Sequence, residues 1–183
     1  MRHALRSITV RLGLATLLAA AAVAPASAST SVLQRYLQCK HTTLTEFPGT
    51  IVDAAVATPE LSTLVNLVQA ANLVGPLSGK GPLTVFAPTN AAFGKVPPAL
   101  LNLIGSDVGL LTSVLTYHVT PGTADPRRSL LSSQVTTLQG QSLFLVYDGN
   151  GASVNQSVAA CKGVKTTNGT VWIIDSVLLP QFR

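Results

Sequence analysis

The side chains able to carry acid-base, nucleophilic or metal chemistry are few in this chain and widely spaced. Seven acids run from Glu46 to Asp175 without a close pair, so no neighbouring carboxylates stand ready as general acid and base. His41 beside Cys39, with His118 and Cys161 far off, is too thin a set for a zinc site. No metal and no cofactor is expected. A nucleophilic serine on a strand-turn-helix elbow needs Gly-x-Ser-x-Gly, which neither Ser78-Gly79 nor Gly105-Ser106 supplies. The glycine-rich run from Gly75 carries three residues instead of four before Gly79, and Lys80 is followed by Gly81 instead of Ser or Thr, so a phosphate loop fails too. The expectation is a protein that is not an enzyme.

The chain's start fixes where it works. Arg2, Arg6 and Arg11 precede an apolar run over 12–23, and Pro25-Ala26-Ser27-Ala28 follows, the pattern of a secretory signal peptide cut after Ala28. The run falls short of the roughly 20 residues a bilayer-spanning helix needs. A secreted or periplasmic, monomeric product with no transmembrane segment is predicted. The leader removes three of twelve Lys/Arg and none of the acids, so nine cations face seven anions and the balance is +2. Only Arg127-Arg128 is dense in charge, and nucleic acid is not an expected partner. The roughly 155 residues left suit one domain burying about 70% of its unfolded surface.

Cys39 and Cys161 are the only cysteines, and an oxidising compartment favours pairing them. Such a bridge would tie an N-terminal arm, 29–46, onto a domain spanning 47–181, and could stabilise it by about 4 kcal/mol. A lipoprotein's cysteine would directly follow the apolar run, which Cys39 does not.

The elements that must position these residues change character along the chain. Apolar residues recur at three and four from Ile51 to Ala71, predicting two helices separated at Thr58-Pro59 and ended by Gly75-Pro76. Leu83 to Phe86 reads as a buried strand, after which Thr89 or Asn90 caps a helix from Ala91. Pro97-Pro98 opens another and Asp107 caps the next, through Val119. Beyond Pro126 the runs turn β-branched and aromatic: 135–137, 142–147, 152–155, 163–166 and 171–179, with turns at 148–151 and Asn168-Gly169. Helices first and strands later predict an α+β domain, helices on one side of a largely antiparallel sheet.

Leu83-Thr84-Val85-Phe86-Ala87-Pro88-Thr89-Asn90-Ala91-Ala92-Phe93, answered by 167–180 with Asn168, Gly169 and Asp175, resembles the paired boxes of the fasciclin (FAS1) domain, with Tyr117-His118 at the family's intermediate motif. The resemblance covers about Phe47 to Gln181. It implies a FAS1 fold, short and mostly antiparallel strands forming a wedge or sandwich with a helical layer. It also implies adhesion or matrix contact through a cell-envelope, matrix or host surface component, protein or glycan. A carrier of a small apolar ligand or lipid is the other reading. Small secreted mycobacterial fasciclin antigens are the nearest in pattern: they carry a cysteine on the N-terminal arm and another in a Cys-x-Gly-Val segment, here Cys161-Lys162-Gly163-Val164, which supports the bridge a second time. Animal adhesion relatives carry Asp-Ile where this chain has Gly163-Val164, so integrin-style contact is not carried over.

Within that resemblance, Tyr117 and His118 are expected to pack more than to bind. Asp175, inside an apolar run, is expected to accept hydrogen bonds that lock one box to the other. Trp172 alternates with Val171 and Ile173, which places it on the opposite face of the strand, where it either packs on the sheet or presents an aromatic anchor; it is the candidate surface contact. Asn155-Gln156-Ser157 and Asn168-Gly169-Thr170 match the glycosylation pattern, which matters only in a eukaryotic secretory pathway.

Overall fold

The computed structural model describes residues 31–128, 130–148 and 150–182; the predicted signal peptide lies outside them. Helix α1 (Val32–Lys40) is followed by β1 (Thr45–Glu46), α2 (Ile51–Val56), a 3-10 turn (Pro59–Leu61), α3 (Ser62–Ala70) and α4 (Val74–Ser78). Then come β2 (Leu83–Pro88), α5 (Asn90–Gly94), α6 (Pro98–Ser106), α7 (Val108–Tyr117) and β3 (Val119–Pro121). The rest is strand: β4 (Ser133–Thr136), β5 (Ser142–Asp148), β6 (Gly151–Val154), β7 (Ser157–Ala159), β8 (Val164–Lys165) and β9 (Gly169–Ile174). The architecture is α+β.

Helix ends follow local chemistry. Thr50 and Asp53 form a reciprocal capping box on α2, and Asp107 accepts from Gly109 and Leu110 N-H at the start of α7. Gly75-Pro76 does not end the second helix as expected; it lies within α4. The stop falls earlier, at Asn72, whose φ of 57° is left-handed and lets Leu73 N-H reach back to Val68 O at 3.0 Å. The last strand is also shorter than expected, ending at Ile174.

Strand pairing is mostly antiparallel, but the long central pair is parallel. β2 and β9 run together from Leu83 beside Gly169 to Pro88 beside Ile174, so the two motif boxes are neighbouring strands. The far edge of β9 is shared, β8 pairing at its start and β7 at its end, and the ladder continues through β6, β5 and β4. Gly169 is required where this pairing begins, because a Cβ there would collide with the carbonyl oxygen of Leu83.

Alternation along the pair feeds two cores, one on each face. Val85, Ala87 and Val171 pack with helical residues such as Ile51, Leu64, Leu111 and Leu115, whereas Phe86, Trp172 and Ile174 pack with Tyr36, Leu143, Tyr147 and Val154. Of the two readings of Trp172, the surface contact is therefore corrected and the packing one holds. It does point away from Val171, but that face is roofed by β5, β6 and α1, and Trp172 is 1% exposed.

Candidate functional site

The fasciclin-like residues converge around the β2–β9 pair, and the structure gives each a partner. Asn168 Oδ1 accepts the N-H of Ile51, the first residue of α2, while Nδ2 donates to Leu77 O and Gly79 O behind α4, all at 2.9 Å. Asn90 Oδ1 accepts Thr63 N-H and its amide nitrogen reaches Pro59 O and Ser62 Oγ, so it serves the start of α3 instead of its own helix. Thr89 is the residue that caps α5, accepting from Ala92 N-H, and its own N-H continues the ladder to Ile174 O. Each box residue thus fills orphan groups at a helix end.

His118 sits between the helical layer and the C-terminal segment, 2% exposed. Its Nδ1 donates to Val114 O at 2.8 Å and its Nε2 accepts from Leu178 N-H at 2.9 Å, which requires the neutral ring. Burial drives its pKa down to about 4, against a smaller upward pull from the Val114 carbonyl. Tyr117 faces the other way, donating to Ser142 O and accepting from the Asn155 amide.

Asp175 is not inside the apolar layer as expected; strand β9 has ended and its side chain is about half exposed. Desolvation pushes its carboxyl up, but the Val158 N-H, Lys95 and the Ser176 hydroxyl outweigh this and hold it below the usual carboxylate range. Lys95, just past α5, donates to both its carboxylate and its carbonyl oxygen.

A buried cation escaped the sequence reading altogether. Cys39 and Cys161 are bridged, and Arg127 donates to the carbonyl oxygens of Cys39, Thr42 and Cys161 from one nitrogen while gripping Asp125 through two others. Its guanidinium lies 4.6 Å from the Trp172 ring centre. The Trp172 indole N-H donates to Ala124 O. A Cβ on Gly163 would press against the same indole. The sequence signal was an arginine beside another in a polar turn, indistinguishable from a solvated pair.

Six of the seven acids are similarly occupied. Asp53 and Asp107 cap helices, Asp125 holds Arg127, Asp148 closes a turn, Asp175 ties β7 to Lys95, and Glu46 faces Lys165. Among the described residues no three His, Cys, Asp or Glu side chains gather. No single described helix is long and apolar enough to cross a membrane.

Two recesses in the helix-sheet seam are apolar and small. One of about 30 Å³ is lined by residues including Ile51, Leu64, Leu77, Val85 and His118, and one of about 20 Å³ by Phe93, Leu101, Leu111 and Val177 among others. The larger concavity is outside, a groove of about 790 Å³ over β5 and the β6–β7 turn, with Tyr117 and Phe144 in its lining.

The sequence is similar to those of several named proteins. The chain is 43% identical over 135 residues to the cell surface glycolipoprotein MPB83 of Mycobacterium bovis, a match covering 71% of this chain and 60% of that protein's length. It is 44% identical over 132 residues to the immunogenic protein MPT70 of Mycobacterium tuberculosis, covering 69% and 67%. Protein sll1483 of Synechocystis is 40% identical over 139 residues, covering 74% and 76%. Among solved structures, a FAS1 domain pair from the insect cell adhesion molecule fasciclin I aligns with 65% of this chain and 45% of that one, at TM-score 0.47 and 20% identity. The fasciclin domain profile matches residues 59–180, well over half of the sequence. On that match and those identities, the chain belongs to the fasciclin domain family.

Proposed function

We infer that this is a secreted, non-catalytic module that works by surface contact with a cell-envelope, matrix or host component. The observation that carries the reading is where the chain spends its polar groups. His118, Asn90, Asn168, Arg127 and six of the seven acids are hydrogen-bonded or ion-paired within the framework, so its chemistry is invested in holding shape. Relatives named as cell surface and immunogenic proteins of mycobacteria agree with exposure outside the cell. The carrier reading is weaker, because the larger of the two apolar recesses measures about 30 Å³, whereas small-molecule sites occupy roughly 300 Å³ or more.

The test is saturable binding of the purified chain, lacking residues 1–28, to intact bacterial cells and to envelope or matrix extracts, with native mass spectrometry alongside. Saturable binding by a ligand-free protein supports contact. A retained lipid with no surface binding replaces this reading with the carrier.

A further inference from the structure

We propose that the groove over β5 and the β6–β7 turn is a binding site for a neutral oligosaccharide. The proposal deepens the surface-contact reading and rests on it. The groove is lined by Tyr117, Ser142, Phe144, Asn155, Gln156 and Leu179 among others, and no lining residue carries a charge. With no charged side chain in its lining, this concavity of about 790 Å³ gives an ionic ligand no preference. The side-chain amides of Gln156 and Gln181, which bond no other described residue, supply both donors and acceptors for sugar hydroxyls.

The floor is fixed in advance of any ligand. Asn155 is held at φ 52°, its Oδ1 accepting Phe144 N-H and its Nδ2 donating to Tyr117 Oη, which in turn donates to Ser142 O. At the far wall the Gln141 side chain grips the backbone of Gln181 twice, nitrogen to carbonyl at 2.8 Å and oxygen to N-H at 2.9 Å, anchoring the C-terminal segment as a rim. Such pre-set geometry lowers the ordering cost of binding. Phe144 stands 50% exposed, and an aromatic face in that position stacks against the partly positive C-H face of a pyranose ring. Leu179, 41% exposed, extends the apolar strip, and Gln156 is exposed on the turn.

A peptide is the less suitable occupant. The backbone bordering the groove is already paired, Phe144 N-H and C=O both bonding Asn155 and Ser142 O bonding Tyr117, so an extended peptide finds no free strand edge there.

The experiment places the full mature chain on an immobilised panel of neutral glucose, mannose and galactose oligomers, with uronic and sulfated oligomers and a neutral peptide set as counterparts. Phe144→Ala and Gln156→Ala are compared with Leu103→Ala, an exposed change on α6, with thermal melting checked for each. Supporting results are binding confined to neutral oligomers and weakened about tenfold or more by Phe144→Ala and Gln156→Ala, at unchanged melting temperature and with Leu103→Ala inert. Binding to acidic oligomers alone, to the peptides alone, to nothing on the panel, or undiminished in both groove variants overturns the proposal. Cell binding by the same samples separates the two levels. If it persists in the groove variants, surface contact stands and the glycan groove falls; if the unaltered chain binds neither cells nor panel, the contact reading falls as well.

Discussion

His118 and Leu178, sixty positions apart, are joined by a hydrogen bond in which the histidine Nε2 accepts the leucine backbone N-H at 2.9 Å. With Nδ1 committed to Val114 O, the ring has one usable state. Protonation would set a donor against a donor in a buried site.

That bond makes the domain sensitive to acid. The folded pKa of about 4 lies below the ordinary 6.5, so the unfolded chain takes up the proton first. Stability is fully present above pH 6.5 and falls as pH drops to about 4, by about 3 kcal/mol over the whole passage. Asp175, whose carboxyl is also depressed, adds loss below the usual carboxylate range. Urea midpoints measured from pH 7 to 4 should drop, with NMR showing His118 neutral to well below pH 6; a midpoint constant across that window contradicts the assignment.

Arg127 and the bridge should act as one staple. Replacing both Cys39 and Cys161 with Ser should lower stability by about 5 kcal/mol through loop closure over 122 positions. Arg127→Ala leaves Asp125 and three carbonyls without their donor and should cost about 3 kcal/mol. If the staple is cooperative, denaturation of the triple variant will show less than the sum of the separate losses.

Trp172 is the only tryptophan, so its fluorescence reports this site alone. Native emission should be blue-shifted and barely quenched by acrylamide, moving red in one step with unfolding. Trp172→Ala should cost about 4 kcal/mol. Ready quenching in the native state would contradict the burial.

Thr120 Oγ1 is buried with no partner among the described residues. Thr120→Val keeps the shape and removes the unsatisfied hydroxyl, and should raise stability by about 1 kcal/mol by calorimetry. A loss would show that the hydroxyl is satisfied.

Sequence and structure agree where signals are local. Asp107 before an apolar run, Thr89 after a strand, and Pro59 opening a helical turn are each decided within four residues, and each lies where expected. The burial of Trp172 and the role of Arg127 are hidden for the opposite reason. Period-two alternation reports which side of a strand a residue occupies, but what covers that side depends on α1 and on β5 to β7, which arrive from distant parts of the chain. β7 was overlooked because three residues between two turns carry too little pattern, and Asn155 with positive φ stands where glycine would have flagged the turn. The Asn90 and Asn168 roles were hidden similarly: a cap recognisable in sequence serves its own helix, and these serve others.

The side-by-side course of β2 and β9 also sets a timetable. Leu83 to Pro88 are made long before their neighbours Gly169 to Ile174, and a parallel ladder cannot form from one of its strands. Until the later segment is synthesised, one edge of the earlier strand lacks its ladder partner, and a chain stopped before residue 169 leaves that edge open and both cores without Val171, Trp172 and Ile174. The central ladder therefore closes late in synthesis, once the second box has joined the first.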